Sequence, residues 1–279
     1  MEKALVLGGG GVTGIAWEIG ILAGLAERGV DLRDADLVVG TSAGSVVGVD
    51  IRSGASLADL YRTQTQPPGG TEIYARMGLG VMAKYVSAMF LSRKPEAARV
   101  RVGAMALRAK TETEEARRRV IESRLPVQQW PAGRLKVTAL DALTGDLVVF
   151  DSASDVPLVD AVGASCAVPG IWPPVTINGR RYIDGGIRSA ANADLAAGSD
   201  RIIIIAPLAS GFGPLASPAN QARALREAGA RITVIKPDKE ALRAIGRNVL
   251  DPARRPAAAL AGYAQAESAA HDAKAVWSG

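Results

Sequence analysis

The stretch Leu37-Val38-Val39-Gly40-Thr41-Ser42-Ala43-Gly44-Ser45-Val46-Val47-Gly48-Val49 decides the fold. Two apolar runs flank a serine that has a glycine two residues away on either side. The pattern reads as strand, sharp turn and helix, with Ser42 at the apex. Gly40 and Gly44 relieve the crowding of such an elbow, so the backbone can hold Ser42 in a strained conformation with its hydroxyl presented. Ser42 is therefore a candidate nucleophile. A glycine-rich loop whose serine only caps the following helix is the competing reading, and five residues alone do not separate the two.

Working upstream, Ala4 to Leu7 reads as a buried first strand. It enters Gly8-Gly9-Gly10-Gly11-Val12-Thr13-Gly14, and Ile15, Ile19, Leu22 and Leu25 then recur at helical spacing up to a stop at Gly29. Glycines at a helix start offer unpaired N–H groups at the positive end of the helix dipole, which suits a phosphate or a developing oxyanion. Residues 9 to 14 also fit G-x-G-x-x-G, with Asp31, Asp34 and Asp36 at about the distance of a ribose-binding acid. A dinucleotide-binding oxidoreductase is thus an alternative, although such a loop does not require a second elbow at Ser42.

Downstream, the helix after Ser42 is expected to end near Ser53-Gly54, and Ser56 to cap a short helix through Tyr61. Gln66 to Gly70 reads as a loop. Residues 73–91 contain Met77, Met82 and Met89 and suit a lid or acyl-contact surface, but their helical spacing favours a core face. Residues 96–124 read as helical and solvated, with Arg117, Arg118 and Arg119 in water or against lipid headgroups. Leu135–Leu140 and Leu147–Phe150 form a hairpin candidate, and a helix follows Pro157. Asn178-Gly179 is a two-residue hairpin turn that delivers Asp184-Gly185-Gly186. Arg201 to Ile205 has the continuous apolar character of a strand covered on both faces. A helix around 220–228, a strand at 232–235 and a final helix from Asp251-Pro252 to Val276 complete the chain. With no repeat or linker, one domain over 1–279 is expected, in which 200–279 is an α/β extension.

The 279 residues are 48% hydrophobic and carry a net charge of +5, which favours anionic partners such as membrane surfaces. The arginines are scattered without aromatic interleaving, so no nucleic-acid partner is expected. One cysteine excludes an internal disulfide, and one histidine argues against a histidine-rich metal site. No signal peptide or membrane-spanning run is visible, which makes a cytoplasmic location with peripheral membrane contact the expectation. The histidine count also bears on mechanism. A serine needs a base to take its proton, and His271 lies in a polar terminal helix, poorly suited to that task. A carboxylate within hydrogen-bond reach is the remaining candidate, which narrows the mechanism to a Ser/Asp dyad.

Four pieces in order resemble the patatin-like phospholipase family: Gly9 to Gly14 with Gly20 after it, Gly40-Thr41-Ser42-Ala43-Gly44, Ala164-Ser165-Cys166-Ala167-Val168-Pro169 leading to Pro174-Val175, and Asp184-Gly185-Gly186. They span residues 5 to about 195. The resemblance implies a three-layer α/β/α fold with a mostly parallel central sheet. It also implies lipid acyl-ester hydrolysis without metal or organic cofactor. Carried over by position, Ser42 is the nucleophile, Asp184 the base, Gly40 and Gly44 the elbow glycines, and Gly9, Gly10 and Gly11 the oxyanion-hole amides. Thr13 stands where the family usually has Arg or Lys, and loss of that cation implies weaker oxyanion stabilisation or a changed substrate. A weakened, lipid-binding relative is therefore a further alternative.

Overall fold

The structure is a computed structural model whose described residues are 1–67, 75, 80, 83, 85, 87–88, 94–209 and 216–278. Strand β1 (Lys3–Leu7) leads through the glycine loop into helix α1 (Gly11–Glu27), and β2 (Leu37–Thr41) leads through Ser42 into α2 (Ala43–Arg52). Then come α3 (Leu57–Thr65), capped by Ser56, α4 (Pro95–Arg108) and α5 (Glu114–Arg124). The hairpin β3 (Arg134–Asp141) and β4 (Leu147–Phe150) precedes α6 (Leu158–Ser165). The second hairpin is β5 (Val175–Ile177) and β6 (Arg180–Asp184). It turns through Asn178 and Gly179, both at positive φ as a tight two-residue turn demands. The C-terminal part supplies β7 (Arg201–Ile205), α7 (Pro218–Glu227), β8 (Arg231–Ile235), α8 (Lys239–Ile245) and α9 (Arg255–Trp277).

One eight-stranded sheet gathers all of these strands. Parallel pairing joins β8, β7, β1, β2 and β3, while β4, β5 and β6 are antiparallel additions. The apolar strands explain the layers. Leu5, Leu7, Val38, Ile203 and Ile205 join one core cluster, beneath α1, α2 and α9. Their alternates Ala4, Val6, Leu37, Val39, Ile202 and Ile204 join another, with Ala222 and Leu225 of α7. Period-two side chains thus feed two buried faces, and the expected three-layer α/β/α arrangement follows. Helix α9 lies along α1, where Trp17 Nε1 donates to Gln265 Oε1 at 3.1 Å.

The registers around β3 position the site. Both β2 and β4 pair with Val137 and Thr138, so they occupy opposite edges of β3. Both β4 and β6 pair with Ala139 and Leu140, so β6 lies on the same edge as β2. Thr41, the last residue of β2, pairs with Thr138, and Asp184, the last residue of β6, pairs with Ala139. Two strands of opposite direction therefore end head to head at adjacent rungs.

Several expectations need correction. The charged stretch 96–124 is two helices with a break over 109–113, at which Thr113 caps the second. Arg117 is not solvated. It is 6% exposed, and its guanidinium stacks 3.8 Å from the Trp172 ring centroid. Helix α8 had no counterpart in the sequence reading. The possible lid over 73–91 falls mostly outside the described residues. Among the described residues, no helix is long and apolar enough to cross a membrane.

Candidate active site

The elbow forms because its glycines let two segments touch. A Cβ on Gly44 would meet the Leu7 carbonyl oxygen at 2.1 Å, and one on Gly40 would meet Ser45 Cα at 2.6 Å. The Gly44 N–H instead donates to Gly8 O at 2.9 Å, which ties the start of α2 to the end of β1. Ser42 itself has φ 53° and ψ −116°, a conformation L-residues rarely adopt. Neighbours hold it there. Its N–H donates to Ser165 Oγ at 2.9 Å, and its carbonyl accepts from Ser45 Oγ at 2.6 Å and from Cys166 Sγ at 3.4 Å. The capping alternative finds no support, since Ser42 makes no side-chain cap bond.

The Ser42 hydroxyl donates to Asp184 Oδ2 at 2.6 Å. The other oxygen, Asp184 Oδ1, accepts the Gly186 N–H at 2.7 Å, which fixes the carboxyl plane. Asp184 is 5% exposed, and burial pushes its carboxyl up to about 6, against the opposing pull of the bonds from Ser42 and Gly186. Tyr85 adds a phenol whose buried oxygen has no hydrogen-bond partner among the described residues. Burial, and then the charge of Asp184, push its ionisation well up, so it is a neutral O–H.

The glycine loop lies beside the elbow, with a Gly9 Cβ position 3.5 Å from Ser42 Cβ. Its amides are not equivalent. The Gly9 N–H donates to Ala190 O at 2.7 Å. Of the expected trio Gly9, Gly10 and Gly11, only Gly10 and Gly11 have N–H groups with no partner among the described residues. Beneath the loop, fully buried Glu18 accepts the Gly8 N–H through Oε1 at 2.9 Å, while its Oε2 has no partner among the described residues. Burial raises this carboxyl well above the usual range, so Glu18 is a neutral acid.

Thr13 is also fully buried, and both its N–H (3.1 Å) and its Oγ1 (3.2 Å) donate to Val249 O. The segment between α8 and α9 thus covers the position where the family usually has a cation. Sequence reading also missed Ser165 and Asn192 as individual site residues. Asn192 is fully buried, and its place as the one polar residue in the run Ala190–Ala193 was the available sequence signal.

Two other predicted features lie away from this constellation. Asp34 and Asp36 bond to Lys3, at the start of β1, whereas the glycine loop follows the end of that strand. Asp31 caps a short turn and pairs with Arg33. These acids therefore sit at the wrong end of the sheet to meet a dinucleotide ribose held by the loop. His271 is exposed on α9, while Ser42 is buried and already bonded to Asp184.

Comparison with known proteins agrees with this architecture. An uncharacterized NTE family protein of Mycobacterium tuberculosis is 31% identical over 189 residues, which are 66% of this chain and 42% of that protein. A counterpart from Mycobacterium bovis matches equally. This chain thus aligns with less than half the length of these curated relatives. The crystal structure of VipD from Legionella pneumophila superposes with a TM-score of 0.50 at 14% identity, covering 99% of this chain and 67% of that one, a likeness of fold. The family model for patatin-like phospholipases matches residues 5–197, which contain the glycine loop, the elbow and Asp184. The chain belongs to the patatin-like phospholipase family.

Proposed function

We propose that this protein is a serine acyl-ester hydrolase acting on lipid esters, with Ser42 as nucleophile and Asp184 as its base. The observation that carries the reading is the 2.6 Å bond from Ser42 Oγ to Asp184 Oδ2, made by a serine at φ 53°. Hydrogen-bond reach is the first requirement of a general base, and the direction of this bond is the one proton transfer needs.

Ser42 Oγ attacks the ester carbonyl carbon while its proton passes to Asp184. The tetrahedral oxyanion is met by the Gly10 and Gly11 N–H groups at the start of α1, where the helix dipole adds positive potential. The carbon–oxygen bond to the alcohol or lysolipid breaks, and that oxygen takes the proton from Asp184. Water then attacks the acyl-serine, Asp184 accepts its proton, and the carboxylic acid leaves as Ser42 regains a proton. Each step uses only this chain's own groups, substrate and water. The match to the patatin-like phospholipase family model supports a lipid ester as substrate. The net charge of +5 supports approach to an anionic lipid surface. We also read residues 200–279 as part of the same unit, because β7 and β8 extend the sheet beside β1.

A panel of p-nitrophenyl esters of rising chain length tests this reading. Turnover should rise with chain length and fall by about 10³-fold or more in Ser42→Ala and in Asp184→Asn. Full activity in either folded variant removes that residue from the mechanism, and activity confined to acetate removes the lipid substrate.

A further inference from the structure

The turn Ser189–Asn192 touches each part of the site. Ala190 O accepts the Gly9 N–H at 2.7 Å, and Ala191 O accepts from Thr41 Oγ1 at 3.3 Å. Asn192 reaches furthest. Its Nδ2 lies 3.1 Å from Thr41 Oγ1, 3.2 Å from Gly185 O, 3.0 Å from Ser189 O and 3.4 Å from Thr138 Oγ1. Thr41 immediately precedes Ser42, and Gly185 immediately follows Asp184. One amide therefore spans the gap where β2 and β6 end against β3. Two of its neighbours, Gly185 O and Ser189 O, can only accept, so the nitrogen must face them and the Asn192 oxygen must face away. That oxygen accepts from Arg188 NH1 at 2.8 Å, which fixes the amide orientation.

The backbone is selected for this task as well. Asn192 sits at φ 49°, ψ 40°, the left-handed region that asparagine tolerates better than most L-residues. The turn is anchored from outside by α7, where Gln221 Oε1 accepts from Ser189 Oγ at 2.8 Å and from the Ala193 N–H at 3.1 Å.

We infer that Asn192 is a positioning residue that sets the Ser42–Asp184 separation by clamping Thr41 to Gly185. This rests on the proposed dyad but makes a separate structural claim. Asn192→Asp keeps the size and the left-handed preference, yet turns acceptors toward acceptors, so it should open the clamp. Thr41→Val is nearly isosteric and removes a single anchor of the same clamp.

Crystal structures and steady-state kinetics of the wild type and both variants supply the test. The account expects the Ser42 Oγ–Asp184 Oδ2 contact to lengthen beyond hydrogen-bond distance in Asn192→Asp. The corresponding kinetic effect is a kcat loss of about 100-fold, with KM changed less than about threefold. Thr41→Val should lose less kcat, with the same unchanged KM. A folded Asn192→Asp protein that keeps the contact and its kcat overturns the clamp. If Asn192→Asp does not fold, Thr41→Val with wild-type kcat and unaltered dyad geometry overturns it equally. An inactive wild type would refute the hydrolase reading, while the Ser42–Asp184 separation would still decide the clamp.

Discussion

Thr41 and Asp184 end two strands that meet on one edge of β3, at the adjacent rungs Thr138 and Ala139. Residues 143 positions apart in the chain, counted from 41 to 184, are thereby fixed by sheet register rather than by loop conformation. The strand ends bring the hydroxyl of the serine that follows Thr41 to 2.6 Å from the Asp184 carboxylate.

The first prediction concerns pH. Asp184 must be ionised to accept a proton, and burial raises its carboxyl to about 6. The rate should therefore fall as pH drops through about 6 and level off above it. A kcat/KM profile over pH 4.5 to 9 on a neutral ester reads this directly. An inflection near 4, the range of an ordinary carboxylate, contradicts the account.

Backbone strain at Ser42 predicts an order of stabilities. Ser42→Ala retains a side chain at φ 53°, whereas Ser42→Gly relieves it. Glycine should therefore be more stable than alanine by about 1 kcal/mol, in spite of its larger entropy loss on folding. Thermal or urea unfolding of the two inactive variants measures the difference, and the reverse order would show that Ser42 stores no strain.

How much of this was legible beforehand follows from what each residue's role depends on. The turns that carry Ser42, the glycine loop and Asp184 are legible because turn residues and apolar periodicity are local. The hairpin at Asn178-Gly179 and the buried strand Arg201–Ile205 are legible for the same reason. Arg117 was misread because its environment is Trp172, distant in sequence, whose ring covers the guanidinium. Gly9 was grouped with Gly10 and Gly11 because composition cannot reveal that Ala190 O takes its N–H. Asn192 was missed because its partners come from β2, β3 and the turn after β6, which only tertiary packing assembles.

Thr13 yields a third prediction. Restoring a basic residue there, as Thr13→Arg, must push a long side chain into a site sealed by Val249 O. Overpacking should cost about 1–3 kcal/mol. A lower unfolding midpoint is expected without a gain in turnover. A stable, faster variant would show that the missing cation limits this site.

Glu18 gives a prediction on stability. Its carboxyl is held above the usual range in the fold, so the folded state binds the proton more tightly than the unfolded chain. Its contribution is complete below about pH 4.5 and declines as pH rises toward the folded value. Glu18→Gln keeps an acceptor for the Gly8 N–H and removes the titration. The variant should therefore gain stability relative to wild type on going from pH 4 to pH 8, by about 1 kcal/mol or more. Parallel unfolding curves at the two pH values would show that Glu18 does not titrate with folding.

The most direct test of the central claim is labelling with a fluorophosphonate probe, with the modified residue located by peptide mass spectrometry. The account predicts a single adduct, on Ser42, formed in the wild type and slowed by about 100-fold or more in folded Asp184→Asn. A folded wild-type protein that stays unlabelled, or that carries the adduct on another residue, contradicts it.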